Sequence, residues 1–195
     1  MRVFLGIDFD SDTKRRMVEA AERLRRGMPG RMRWEGADKL HLTLKFLGPV
    51  AEAGFAEVNA AAERIAAATP AMTLRIGGLG TFPPEGPPRV LWLGAQEATG
   101  ALMRLAVDLD AAMAALGFGR EAHPFHPHVT LARISEFPGG RRPSDGVPDA
   151  GGFAAMSVAA RELTVFESEP TPQGSRYTRL AAHAFGGGGA NGEPS

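Results

Sequence analysis

Apolar and polar positions along the chain predict short strands that alternate with amphipathic helices. The first segment, 2–9, is rich in Val, Phe and Ile and predicts a buried strand. A helix should follow, with Ser11 and Asp12 as candidate caps and with apolar side chains at helical spacing up to the breakers at 27–30. By the same reasoning, further helices are predicted from Phe55 to before Pro70 and from Leu102 to Gly117, and further strands over 40–47, 72–79, 89–93, 128–133, 158–166 and 177–185.

One predicted strand, 40–47, alternates strictly between polar and apolar residues. Its polar positions, His41, Thr43 and Lys45, are expected on one face, and its apolar positions, Leu42, Leu44 and Phe46, on the other. The apolar face is expected in the core, which leaves the polar face for chemistry. The strand at 128–133 repeats this pattern, with His128 and Thr130 on one face.

The tetrapeptide His-x-Thr-Leu occurs at 41–44 and again at 128–131, in a chain with five histidines. In both halves of the chain a helix and a short link precede this strand, which predicts a duplicated β-α-β lobe. We therefore expect an α+β fold of two pseudo-symmetric lobes, each an antiparallel sheet with helices outside, flanking a central cleft. Residues 1–185 are predicted to form this single domain of two interleaved lobes, and the Gly-rich tail at 186–195 is predicted to be disordered.

Length and composition favour one self-sufficient domain. A chain of 195 residues with 44% hydrophobic residues can bury a stable core. It contains no cysteine, which excludes disulfides, thiolate zinc sites and cysteine nucleophiles and favours a cytoplasmic location. A formal net charge of +0 argues against a general nucleic-acid coat but allows a local phosphate pocket. Because no apolar run is long enough for a signal peptide or a membrane span, we expect no membrane partner. The chain is expected to be a monomer.

Two histidines, each followed two residues later by a threonine, suit acid/base catalysis on a phosphate. Imidazole titrates at about pH 6.5, so one ring can act as an acid while the other acts as a base. Attack of water on a phosphodiester needs a base for the water and an acid for the departing oxygen. Threonine hydroxyls on the same face can donate hydrogen bonds to the phosphate oxygens. No metal or cofactor is required, and a strained cyclic phosphate at an RNA end is a favourable substrate.

Six segments spread over nearly the whole chain carry a family resemblance: 2–7, 33–34, 41–48, 89–94, 125–133 and 174–180. In their order and spacing they resemble the two-histidine (2H) phosphoesterases, and among these the RNA 2′,3′-cyclic phosphodiesterases, also known as 2′-5′ RNA ligase-like proteins. The residues after 185 lie outside the resemblance.

The resemblance implies hydrolysis of a 2′,3′-cyclic phosphate at an RNA end to a 2′-phosphate, without a metal. It implies that His41 is the acid that protonates the 3′ oxygen and that His128 is the base that activates water. Thr43 and Thr130 would hold the phosphate, and Arg133 would add positive charge beside it. Strict alternation places Arg133 on the opposite strand face from His128, so Arg133 reaches the pocket only if the strand ends or twists there.

Other interpretations of single residues stay open. His123, His126 and His128 are an alternative zinc cluster, although the neighbouring prolines stiffen the segment and no cysteine contributes. Arg141 and Arg142 lie in a Gly/Pro-rich loop, 136–152, that either covers the RNA or is simply solvated. Four aromatic residues are predicted to be core rather than base-stacking platforms: Trp34, Phe46, Trp92 and Phe125.

Two alternative functions also stay open. The same chemistry would serve a 2H enzyme that acts on 2′-5′ linked oligonucleotides or on small cyclic nucleotides. The cleft would also suit a non-catalytic module that binds RNA ends, although two intact His/Thr pairs argue for turnover.

Overall fold

The computed structural model describes residues 1–137, 154–172 and 174–186. Apart from Gly186, the predicted tail lies outside the described residues, and so does most of the loop at 136–152, including Arg141 and Arg142. The strands are β1 (Arg2–Asp8), β2 (Arg31–Trp34), β3 (His41–Pro49), β4 (Met72–Phe82), β5 (Val90–Gln96), β6 (His128–Glu136), β7 (Met156–Ala160), β8 (Glu162–Thr171) and β9 (Gly174–Ala184). The helices are α1 (Ser11–Gly27), α2 (Glu52–Ala68) and α3 (Ala101–Ala115), with a 3₁₀ turn at Ala37–Lys39.

The strands form one curled antiparallel sheet in the order β7-β4-β5-β6-β3-β1-β8-β9. The two central strands, β3 and β6, are paired only at Leu42 and Val129 among the described residues. Beyond that point the edge of β6 pairs with β2 instead. The sheet therefore consists of two halves that are joined at one place and diverge from it, which opens a cleft between them.

Helices cover the face of the sheet that lies opposite the cleft. Helix α2 packs on β8 and β9, and α3 packs on β3. The core is formed by inward-facing strand and helix residues, among them Leu42, Leu44, Val129, Leu131, Met17, Val58 and Leu105. The predicted α+β fold of two pseudo-symmetric lobes is confirmed, with the refinement that the two sheets are continuous. No helix within the described ranges is both long and apolar enough to cross a membrane.

The prediction of one continuous strand over 158–166 is wrong. The chain forms β7, which pairs with β4, and after Arg161 it forms β8, which pairs with β1 and β9. Strand β7 alternates between buried and exposed residues, whereas four consecutive residues of β8, from 163 to 166, are buried. Here the chain crosses from one half of the sheet to the other. The short strand β2, at the rim of the cleft, was not predicted.

Both motif strands carry a β-bulge at the motif leucine. The register of β3 against β1 skips Leu44, and the register of β6 against β5 skips Leu131. In each strand this leucine and the next residue are both buried, and the residue after them is exposed. Because a bulge shifts the alternation by one residue, the side chain five positions after each histidine turns to the polar face.

Candidate active site

The join between the two halves of the sheet places the two His-x-Thr motifs side by side. Leu42 and Val129, the middle residues of the motifs, are antiparallel partners and point into the core. Their flanking residues point to the other face, into the cleft. Since the two strands run in opposite directions, the histidine of each motif lies towards the threonine of the other.

The five predicted site residues line a single cavity of about 340 Å³. They are His41, Thr43, His128, Thr130 and Arg133. The cavity walls also include residues that the sequence did not single out: Phe4, Glu35, Lys39, Phe82, Val90 and Tyr177. Glu35 and Tyr177 follow or lie within segments that carry the family resemblance, but Phe82 precedes a Pro/Gly-rich turn that gives no pattern to detect it.

Both histidine rings are held by the same backbone contact. The Nδ1 of His41 lies 2.8 Å from the carbonyl oxygen of Lys39, and the Nδ1 of His128 lies 2.7 Å from that of His126. A carbonyl only accepts, so each Nδ1 carries the proton and donates it. In the neutral rings this leaves Nε2 as the basic nitrogen, and the two Nε2 atoms are the ones available to the cleft.

Burial lowers the pKa of both histidine rings. His41 packs 4.8 Å from the ring of Phe4 and edge-on to Tyr177 at 5.1 Å, and burial lowers its pKa to about 4. His128 has the ring of Phe82 edge-on at 5.0 Å, and burial lowers its pKa as well. In the free protein at neutral pH both rings are therefore neutral.

Thr43 is already engaged in the free protein. Its Oγ1 lies 2.9 Å from Nε2 of His41, and because that nitrogen is the acceptor in the neutral ring, the hydroxyl donates to it. Protonation of His41 would reverse this bond, since the ring would then donate to the hydroxyl. The hydroxyl hydrogen of Thr43 would then be available to another acceptor.

Arg133 reaches the cleft because of the bulge at Leu131. The guanidinium is about half exposed, and its Nε lies 3.2 Å from Oε1 of Glu35, whose side chain is only 9% exposed. Glu35 is itself fixed by its backbone N–H, which donates to the carbonyl oxygen of Leu131 at 2.8 Å. Arg133 lines the cavity, and no hydrogen bond within the described residues engages its terminal nitrogens.

The equivalent bulge corrects two expectations for β3. Lys45 does not share the polar face with His41: its side chain is 1% exposed, and its Nζ donates to Asp110 at 2.8 Å and to the carbonyl oxygen of Gly119 at 2.6 Å. Phe46 is not a core residue, since it is 46% exposed and lines the cleft. In the pseudo-symmetric arrangement Phe46 occupies the position that Arg133 occupies in the other half.

A second cavity, of about 650 Å³, continues from the first beyond His128. The two cavities share Thr43, Phe46, Phe82 and His128. The remaining walls of the second cavity are Leu44, Pro84, Glu121, His123, Pro124, Phe125 and His126. Phe125 lines this cavity and also packs against the core, and Trp34 packs against the core as well, as predicted for both.

The alternative zinc cluster is not supported in the part of the chain that the structure describes. No group of three or more His, Cys, Asp or Glu residues in that part is arranged to hold a metal ion. His126 instead packs against the ring of Trp92 at 4.6 Å, and its carbonyl oxygen holds His128. His126 thus has a structural role in positioning His128.

A curled antiparallel sheet whose two halves each present a His-x-Thr motif to one cleft defines the class of two-histidine phosphoesterases. Residues 11–136 match the family model of the 2′-5′ RNA ligase superfamily. The chain is 32% identical over 189 residues to the RNA 2′,3′-cyclic phosphodiesterase of Thermotoga maritima, covering 96% of this chain and 97% of the relative. It is 31% identical to the Escherichia coli protein of the same name, with 94% and 96% covered.

Solved structures show the same fold. A crystal structure of a Thermus thermophilus protein superposes with a TM-score of 0.79 at 30% identity, covering 97% of this chain and all (100%) of that one. Escherichia coli LigT in complex with 3′-AMP gives a TM-score of 0.75 at 29% identity, covering 94% and 97%. The chain belongs to the 2′-5′ RNA ligase superfamily, and the family predicted from its sequence is confirmed.

Proposed function

We propose that this protein hydrolyses 2′,3′-cyclic phosphate ends of RNA to 2′-phosphates, with His41 as proton donor and His128 as proton acceptor and without a metal. The single observation that carries the proposal is the pair of rings held by matching Nδ1 contacts, with both Nε2 atoms available to one cavity beside two threonines. Relatives named RNA 2′,3′-cyclic phosphodiesterases, aligned over most of the chain, support the choice of substrate.

The reaction is a single in-line displacement at phosphorus. Nε2 of His128 takes a proton from water as the water oxygen bonds to phosphorus, and the bond between phosphorus and the 3′ oxygen breaks. Nε2–H of His41 gives its proton to that oxygen, which leaves a 3′ hydroxyl and a 2′-phosphate. Thr43, Thr130 and Arg133 donate hydrogen bonds to the non-bridging oxygens, where negative charge is concentrated in the transition state.

The low pKa of His41 is compatible with an acid that becomes protonated when the substrate binds. The free ring is neutral at pH 7 because burial lowers its pKa to about 4. A phosphate anion a few ångströms away favours the protonated ring and raises this pKa. His41 would therefore take up a proton as the substrate binds, and its burial among aromatic rings makes it a strong acid once the negative charge moves to the leaving oxygen.

The proposal is tested with an RNA oligonucleotide that ends in a 2′,3′-cyclic phosphate, incubated with the protein in excess chelator. We expect conversion to the 2′-phosphate isomer alone, identified by chromatography against both synthetic isomers. His41→Ala and His128→Ala should each lower kcat by at least about 10²-fold. The double variant should be little slower than either single variant, because the two residues act as one unit.

His183→Ala is the matched control. This histidine is also partly buried and hydrogen-bonded, with Nε2 2.9 Å from Oδ1 of Asn59, but it lies on β9 outside the cleft. Its removal should leave the rate unchanged. Loss of activity on chelation would contradict the metal-free mechanism, and binding of the oligonucleotide without turnover would favour a binding module. Preferential cleavage of 2′-5′ linkages or of small cyclic nucleotides would favour the alternative substrates.

A further inference from the structure

Arg33 lies beside the catalytic cleft and directly opposite another arginine. It is the partner of Arg133 across β2 and β6, and directly opposed side chains of a sheet share one face. Like charges in such positions destabilise a sheet. The one carboxylate that the described residues offer to this pair is Glu35, and it bonds to Arg133. No ion pair among the described residues involves Arg33.

Lys39 brings a second cation to the same place. Nη1 of Arg33 and Nζ of Lys39 lie 3.1 and 3.3 Å from the point where a Cβ would stand on Gly174, so both groups converge on one spot. Gly174 has a φ of +119° and no side chain, so no Cβ crowds the two cations at that point. Lys39 lines the cleft and, like Arg33, forms no ion pair within the described part of the chain. Two converging cations that no described carboxylate neutralises favour the binding of an anion.

We propose that Arg33 and Lys39 form a second phosphate site, which binds the phosphodiester that joins the terminal nucleotide of the substrate to its 5′ neighbour. The inference rests on the proposed function and deepens it: it assigns the residues that bind the RNA strand on the 5′ side of the cyclic phosphate. Guanidinium and ammonium groups are both well suited to phosphate oxygens. The backbone of Lys39 links the two sites, because its carbonyl oxygen holds the ring of His41.

The test compares four substrates that share the same 2′,3′-cyclic phosphate. They are adenosine 2′,3′-cyclic phosphate, its 5′-phosphorylated form, a dinucleotide with a normal phosphodiester, and the same dinucleotide with a neutral methylphosphonate linkage. For the full-length wild-type chain, kcat/KM should be about tenfold higher for the phosphodiester dinucleotide than for the methylphosphonate, as expected for loss of charge-assisted hydrogen bonds. Equal values for these two dinucleotides would overturn the proposal.

Arg33→Gln and Lys39→Gln should each lower this ratio, and the double variant should bring it close to one. The ratio is the readout because a merely structural change would lower both rates together. Arg31→Gln is the matched control, since Arg31 is an exposed arginine on the same strand that is not among the groups nearest to Gly174. If Arg31→Gln lowers the ratio as much as Arg33→Gln does, the effect is one of overall charge and the proposed site is wrong.

Two further outcomes separate this site from the proposed function. A gain for the 5′-phosphorylated nucleoside without a gain for the phosphodiester dinucleotide would mean that the site serves mononucleotides, which contradicts an RNA strand. If the wild type turns over none of the four substrates, the proposed function fails. In that case the second site is tested by measuring the binding of dinucleotides that carry a terminal 2′-phosphate. Equal affinities for the phosphodiester and methylphosphonate forms would overturn it.

Discussion

Leu42 and Val129 are antiparallel partners at the centre of the sheet, and each is the middle residue of a His-x-Thr motif. Both side chains are fully buried (0% exposed), so this pair fixes the two motif strands to each other through the core. The distance between the two histidines is thus set by packing on the opposite face of the sheet. A substitution at this pair is therefore expected to change both the free energy of unfolding and the position of the two histidines.

Leu42→Ala is expected to reduce both stability and activity. Truncation of a fully buried leucine costs about 2–5 kcal/mol of unfolding free energy, measurable by urea denaturation. Because the cavity would form under the join of the two halves, kcat should fall even at temperatures where the variant is folded. Leu74→Ala is the control: Leu74 is also 0% exposed but lies in β4, away from the cleft. The expectation is wrong if the two variants lose stability and activity in the same proportion.

The stability of the protein should fall as the pH drops from about 6.5 towards 4, because of His41. Its pKa is about 4 in the folded state and lies below the unfolded value of 6.5, so protons bind to the unfolded chain first. At full extent the loss would be about 3 kcal/mol. Urea denaturation across this pH range should show a shallower dependence for His41→Gln than for the wild type. Identical slopes would show that the ring titrates normally.

The sequence was sufficient to predict the cleft and the side chains of both motifs that line it, but not the faces of the residues that follow the bulges. The period-two pattern predicted the faces of His41, Thr43, His128 and Thr130 correctly, because these positions precede the bulges. It failed for Lys45 and Phe46, which follow Leu44, since a bulge is set by the pairing with the neighbouring strand. A single strand carries no local signal of its own register.

The missed break at Arg161 has a related cause. Residues 158–166 are mostly apolar apart from Arg161, Glu162 and Thr164, and periodicity alone does not show that two strands meet at Arg161. Only the partners, β4 for one segment and β1 with β9 for the other, distinguish them. Glu35 was missed for a different reason. It follows a short edge strand, and its role depends on a contact with Arg133, which is distant in sequence.

Lys45→Met is expected to destabilise the protein without removing any cleft residue. Lys45 is buried and its Nζ bonds to Asp110, whose pKa this hydrogen bond lowers. Breaking a buried pair costs about 3–5 kcal/mol, and we expect the lower end of this range because Asp110 is partly exposed. In the wild type this contribution should be lost as the pH falls below the usual range of a carboxyl, since protonated Asp110 no longer pairs.

The control for this substitution is Arg15→Met. Arg15 forms an ion pair with Glu19 at 2.7 Å on the surface of α1, with 60% of its side chain exposed. Such exposed pairs contribute little to the free energy of unfolding, so the melting temperature should barely change. If Lys45→Met is equally mild, the buried ammonium is not what holds β3 to the end of α3.

Glu35 should assist phosphate binding through Arg133, although its own charge repels an anion. A carboxylate in a cleft that is proposed to bind a phosphate can only weaken binding directly, but its Oε1 accepts from Nε of Arg133 and so holds that side chain at the cavity wall. Glu35→Gln is therefore expected to raise KM for an RNA cyclic phosphate several-fold, with a smaller change in kcat. In the background of Arg133→Gln the same substitution should have no such effect, which gives a coupling of about 0.5–3 kcal/mol in the double-mutant cycle. A fall in KM for Glu35→Gln alone would mean that charge repulsion outweighs the orientation of Arg133.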